Sequence, residues 1–435
     1  MTQTPTTIAV GGHTFRYIPL VSDEFNLNTM SSIWTTSNNY YSESTIWMSS
    51  NFTFGKKSSL ISESNTTVCN IISHYSPLLI TVTNWNGTRG SSNLICGSLQ
   101  SQNTYKYGYY EARMKEPSSD VGVSSAFWLI SGGENGLYSE IDIQENNSEF
   151  VADGYDIWNI FHKGQGKSQL RNAIAYQAPG DPRLSYDWPL DQTLDIKDAN
   201  SNLVDITTTF HTYGLDWQPT YIDFYMDGIL KTHFTSSNFL YHYANGQSTN
   251  LPVSSLIPQQ VILWTKSGNQ ANYPVNNDVN LEVDYFRYYR NNPEISSSSI
   301  IFGASRLADL TFSNNIPDDT YSFSSGTKLN TNTVRLQPSN DVTNLTVTNS
   351  FTYPTGTAQI SKSILFLTGT ANLCNNSTNN IIIANAIVAP LNPCTNAQVY
   401  HSGQNVNYIA RDYIVLNSGF EVQLGATFSS EVKGQ

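Results

Sequence analysis

The chain has 435 residues, of which 39% are hydrophobic, 12% aromatic and only 13% charged, with a formal charge of −12. That is about half the charged fraction of an ordinary soluble domain, yet the aromatic and β-branched content is high enough to exclude disorder. The acidity opposes nucleic-acid binding, which relies on neutralising phosphates, and no apolar run approaches the ~18 residues of a membrane span.

In chain order, Met1-Thr2-Gln3-Thr4-Pro5 lacks the basic region and apolar core of a signal peptide. The expectation is therefore a chain with no leader, or one already trimmed. Four cysteines fall into two local pairs, Cys69 with Cys96 and Cys374 with Cys394, without metal-ligand spacing. Two disulfides, one per domain, would fit an oxidising compartment; four buried thiols are the alternative.

Short strands separated by turn residues follow. Tyr109–Lys115, Ser125–Ile130 and Ile141–Ile143 are strand-like. In Tyr221–Lys231, Ile222, Phe224 and Met226 alternate with polar or amphipathic neighbours, and Asp227-Gly228 supplies a two-residue hairpin turn. Val283–Tyr289 reads as a closing strand, and no stretch sustains a helical apolar period. Such a pattern predicts an all-β sandwich or jelly roll over residues 1–292. Residues 293–300 have linker composition, and 301–435 form a smaller Ser/Thr/Asn-rich β domain. There the tail from Tyr408 to Phe428 repeats strand, glycine turn and strand, which suits stacked β-coils.

One strand concentrates the chemistry. Ser139-Glu140-Ile141-Asp142-Ile143-Gln144-Glu145 puts three carboxylates within six residues. In a regular strand Glu140 and Asp142 share a face with Gln144, and Glu145 points away. A one-residue bulge near Gln144 would return Glu145 to the acidic face, and bulges favour active sites. Glu140 and Glu145 would then reach the ~5–5.5 Å separation of a retaining glycosidase pair. An acidic solvated face is the plainer reading, opposed by the mutual repulsion of three acids on one side of a sheet. Aromatic residues crowd the same region: Trp128 and Tyr138 before it, Tyr155, Trp158 and His162 after it.

Glu140-Ile141-Asp142-Ile143-Gln144-Glu145 resembles the bulged E-x-D-x-x-E signature of glycoside hydrolase family 16. Ser22–Asn26, Tyr107–Lys115, Phe210–Trp217, Phe224–Gly228 and Val283–Arg287 resemble further blocks of that family, in family order, over residues 20–290. The resemblance implies a β-jelly-roll sandwich with an open concave cleft, endo-hydrolysis of a polysaccharide, and retention. By matching positions it makes Glu140 the nucleophile, Glu145 the general acid/base and Asp142 the carboxyl between them that orients and tunes both. The cluster is expected to titrate as a unit, with Glu145 protonated and Glu140 ionised.

Val121–Leu129 and Ile143-Gln144-Glu145 are similar to the agarase and porphyranase branch, from which Asn146-Asn147 depart. The expected substrate is a red-algal galactan of agar, porphyran or carrageenan type, sulfated in some of these. An endo-β-1,3(4)-glucanase and a non-catalytic glycan-binding protein are the alternatives. Trp128, Tyr138, Trp158, His162, Trp188 and Trp264 are candidates to line the cleft, although each aromatic also suits a core. Lys266 would pair with a substrate sulfate, or be a plain surface lysine. Asp284, with Glu24, matches a position where family members bind a structural Ca2+. No cofactor is expected for the chemistry. The implied protein is a monomer, bacterial, secreted or on the cell surface, and its tail resembles C-terminal modules of secreted Bacteroidota enzymes.

Overall fold

The computed structural model describes the chain except for residues 1–6, 37–39, 43–44, 49, 84–88, 118–121, 132–136, 147–167, 180, 182–186, 268–277, 295–299, 303–307, 313–315, 337–341, 367–369, 373–380, 390–397, 401–404, 417–419, 423–426 and 433–435. It divides into two compact units, Met1–Arg290 and Asn291–Gln435.

The first unit is a β-jelly-roll sandwich. A seven-stranded sheet carries β1 (Trp34–Thr36), β2 (Ser98–Ser101), β3 (Val123–Ser131), β4 (Tyr138–Asn146), β5 (Gln169–Gln177), β6 (Asp187–Asp195) and β7 (Gln260–Ser267). Their spatial order is β6-β5-β4-β3-β7-β2-β1, every pair antiparallel. A twelve-stranded sheet includes Gly108–Lys115, His211–Trp217, Tyr221–Met226, Ile229–Thr235 and Val279–Asn291.

Alternation decides which residues fill the space between the sheets. Phe127, Leu129, Ile141 and Ile174 come from the seven-stranded side, and Ala112, Leu215, Phe224 and Phe286 from the other, all essentially inaccessible. Phe127 meets Phe286 edge to face with ring centroids 6.1 Å apart, which joins the two sheets at the core. The expected hairpin forms as read. Asp227 and Gly228 both take positive φ, 51° and 73°, as a turn matching the right-handed strand twist demands.

The disulfide expected between Cys69 and Cys96 does not form; both are separate buried thiols. Cys96 contacts Ser73 (Sγ to Oγ 3.5 Å). Cys69 lies four residues earlier on the same strand, Thr67–Thr83, roughly 13 Å along it at strand rise. That exceeds what a disulfide spans. Burial pushes the Cys96 thiol up to about 12 and the Cys69 thiol well above its ordinary value. Cys374 and Cys394 lie outside the described residues.

The second unit is also all β. Antiparallel strands Val342–Phe351 and Gly356–Phe366 lead into the parallel strands Ile381–Ala389, Asn405–Leu416 and Thr427–Val432. Gln398–Tyr400 pairs in parallel with Phe420–Val422, at the same sequence offset as Asn405 opposite Thr427. Parallel pairing of successive segments is the geometry of stacked coils, as the repeating tail suggested.

Candidate active site

The acidic strand is β4, and its register shows how the acids converge. Glu140 lies opposite Ile130 and Asp142 opposite Trp128, but Glu145 lies opposite Ala126 and Gln144 opposite Phe127. The step between Asp142 and Gln144 leaves Ile143 as the extra residue of a bulge. Because Ile130, Trp128 and Ala126 alternate on one face of β3, Glu140, Asp142 and Glu145 all stand on that face. Gln144 turns inward instead, 0% exposed, and among the described residues its amide has no hydrogen-bond partner.

The same face of β5 presents Arg171, Ala173 and Ala175, and that of β7 presents Gln260, Ile262, Trp264 and Lys266. The alanines keep the floor beside the acids low. Ala126, Trp128 and Ile262 pack together with Trp264, whose ring lies 4.7 Å from that of Trp128. Trp264 is partly exposed and Trp128 is buried beneath it.

The electrostatics differ along β4. Tyr138 donates its phenol to Glu140. Burial, reinforced by the charge of Glu145, pushes the Glu140 carboxyl up to about 7 against that hydrogen bond. Asp142, 4% exposed, is raised well above the usual carboxylate range by burial and then by the charges of Glu140 and Glu145. The hydrogen bond between them lowers Glu140 and raises Asp142. Burial and the neighbouring acids thus favour the protonated form of Asp142, against the pull of Arg171.

Glu145 is surrounded by cations. Lys266 Nζ donates to Glu145 Oε1 at 3.0 Å, and Arg171 Nη1 donates to Glu145 Oε2. Arg171 also reaches Asp142 Oδ2 at 3.2 Å and, through Nε, Asp191 Oδ1 at 2.8 Å. It is 1% exposed, and its guanidinium lies 5.3 Å from the Trp188 ring centroid. A carboxylate facing two cations favours its charged form.

Of the residues singled out in sequence, the structure brings together Glu140, Asp142, Glu145, Tyr138, Trp128, Trp188, Trp264 and Lys266. Trp158 and His162 lie outside the described residues. Glu24 and Asp284 sit elsewhere, on the twelve-stranded side. Arg287 grips Glu24 through two 2.8 Å hydrogen bonds, and Arg113 Nη1 bonds Asp284 at 2.8 Å. Among the described residues no three His, Cys, Asp or Glu side chains converge as a metal site. Sequence reasoning missed Arg171 and Asp191. The available signal was Arg171 alternating with Ala173 and Ala175 beside inward Leu170 and Ile174.

A bulged acidic strand on the open face of a jelly roll defines a glycoside-hydrolase scaffold. The profile of glycosyl hydrolases family 16 matches residues 29–287, and the chain belongs to that family. It is 28% identical over 202 residues to a beta-glucanase of Paenibacillus polymyxa, covering 45% of this chain and 65% of that one. It is also 28% identical over 217 residues to the kappa-carrageenase of Pseudoalteromonas carrageenovora, covering 41% and 48% respectively. The chain thus spans about half to two thirds of the length of these relatives. Porphyranase B from Zobellia galactanivorans superposes with a TM-score of 0.47 at 16% identity, over 64% of this chain and 93% of the other.

Proposed function

We propose that this chain is a secreted, endo-acting retaining glycoside hydrolase that cleaves β-linked bonds in a red-algal galactan carrying anionic groups. The observation that carries this reading is the bulged Glu140–Asp142–Glu145 face with Arg171 and Lys266 set against its last acid.

The chemistry follows from the two halves of β4. The Glu140 carboxylate, hydrogen-bonded by Tyr138 and Asp142, attacks the anomeric carbon as Glu145 passes its proton to the departing glycosidic oxygen. The resulting glycosyl ester on Glu140 is then attacked by a water that Glu145 deprotonates, which restores both groups. Glu145 must hold a proton for the first step. An anionic substituent on the sugar that draws Lys266 away would raise the proton affinity of Glu145 when substrate is bound.

This need for a charge acceptor favours a sulfated or otherwise acidic galactan over a neutral glucan. A β-glucanase is the second reading, because relatives bearing that name match the same region. Reducing-end release over agarose, porphyran, κ-carrageenan, laminarin and lichenan tests the assignment. Turnover of an anionic galactan is expected; turnover of laminarin or lichenan alone would overturn the substrate class.

A further inference from the structure

The bulge at Ile143 has a built support on its buried side. The ladder between β4 and β5 ends at the pair Asp142–Ala173, so the carbonyl of Ile143 has no strand partner there. The side chain of Asn172 takes its place, donating Nδ2 to Ile143 O at 2.7 Å. Asn172 Oδ1 in turn accepts from the Thr232 hydroxyl at 2.8 Å. Thr232 belongs to the strand Ile229–Thr235 of the opposite sheet. Its register partner is Phe224, so it points into the sandwich. All three groups are buried: Ile143 1%, Asn172 0% and Thr232 5% exposed.

We propose that Asn172 and Thr232 are positioning residues that hold the Ile143 bulge and thereby aim Glu145 at the acidic face. A bulge is one register choice among several, and slipping it by one residue moves every following side chain to the other face. Removing the bulge would turn Glu145 toward the core and Gln144 outward. An amide can donate to the stranded carbonyl while accepting from a hydroxyl, and the Thr232 hydroxyl lies 2.8 Å from Asn172 Oδ1 and 3.3 Å from Gln192 Oε1. The chain of bonds ties the acid's direction to the second sheet. It rests on the reading of Glu145 as acid/base.

The test pairs Asn172→Ala with Thr232→Val, which removes one hydroxyl at nearly constant volume. Thr232→Ser is the rescue. Phe234→Leu is the control, a buried change on the same strand whose ring packs on Phe239. Misdirecting the acid by about 1 Å costs on the order of 100-fold. Asn172→Ala should therefore lower kcat about 100-fold and Thr232→Val about tenfold, with KM within about twofold. The alkaline limb of the pH profile should move upward as Glu145 leaves its cations, and Thr232→Ser should restore both values. A purely structural role predicts that Phe234→Leu, at an equal loss of Tm, lowers activity as much as Thr232→Val with the limb unmoved. That result would overturn the proposal. If Asn172→Ala does not fold, Thr232→Val decides alone.

A 13C titration of the Glu145 carboxyl needs no substrate, so it separates failure here from failure of the substrate reading. Its proton affinity should rise about tenfold in Thr232→Val; an unchanged titration contradicts the proposal.

Discussion

The two ends of β4 are built on opposite electrostatic plans. Before the bulge, burial dominates: it raises both Glu140 and Asp142, with the charge of Glu145 adding to each, while Tyr138 bonds Glu140 and Arg171 reaches Asp142 at 3.2 Å. After it, Glu145 is held between a guanidinium and an ammonium. The same residue type, five positions apart on one strand, meets burial at one position and two opposite charges at the other. The bulge is what permits this, since it aims Glu145 at a face where β5 and β7 each contribute a cation.

The comparison predicts unequal responses to equal chemical changes. Glu140→Gln should abolish hydrolysis, by about 10^4-fold or more as covalent nucleophiles do. Glu145→Gln should cost about 10^2- to 10^4-fold. Asp142→Asn should be much milder, within about 30-fold, because an amide still donates to Glu140 as the protonated acid does. Initial rates on one substrate rank the three; equal losses for Asp142→Asn and Glu140→Gln would break the distinction.

Lys266→Met sharpens the other half. With one cation gone, Glu145 binds its proton more tightly, so the alkaline limb of kcat/KM should move to higher pH. KM for an anionic galactan should rise about tenfold, the worth of a charge-assisted contact. An unmoved limb would remove Lys266 from the tuning of Glu145.

Stability gives a third contrast. The folded-state affinity of Glu140 for its proton exceeds the ordinary value, so the contribution of this group is fully present at low pH. It is lost as pH rises through about 7. Glu140→Gln should then raise Tm by about 2–5 °C at pH 8 and by little at pH 4.5, measured by calorimetry. The smallest effect concerns the residue the bulge sends inward. Gln144→Met removes a buried amide that has no partner among the described residues and should stabilise the fold by about 1 kcal/mol; a loss of stability would mean that the amide is satisfied.

Much of this was legible in the sequence because it is local. The alternation of Ile141 and Ile143 with acids placed β4, and the acid spacing required a bulge beside Gln144. The Asp227-Gly228 turn and the coil repeats of the tail depend on neighbouring residues in the same way. What escaped is non-local. Arg171 reads as an ordinary polar position on an amphipathic strand, and only the adjacency of β5 to β4 makes it a partner of Glu145. Thr232 meets Asn172 from sixty residues away across the sandwich. The cysteine pair misled because nearness in sequence is not nearness in a long strand. Cys69 pairs with Val283 on one side of the long strand Thr67–Thr83, while the strand ending at Cys96 pairs with that strand only from His74 onward.

Chemical rescue tests the central claim most directly. Glu140→Ala and Glu145→Ala are each given azide and an aryl oligosaccharide whose leaving group needs no acid. The anomeric configuration of the glycosyl azide is then read by proton NMR. With Glu140 as nucleophile and Glu145 as acid/base, Glu145→Ala yields the β-azide through the intact glycosyl ester, and Glu140→Ala yields the α-azide by direct displacement. The α-azide from Glu145→Ala and the β-azide from Glu140→Ala would contradict the account.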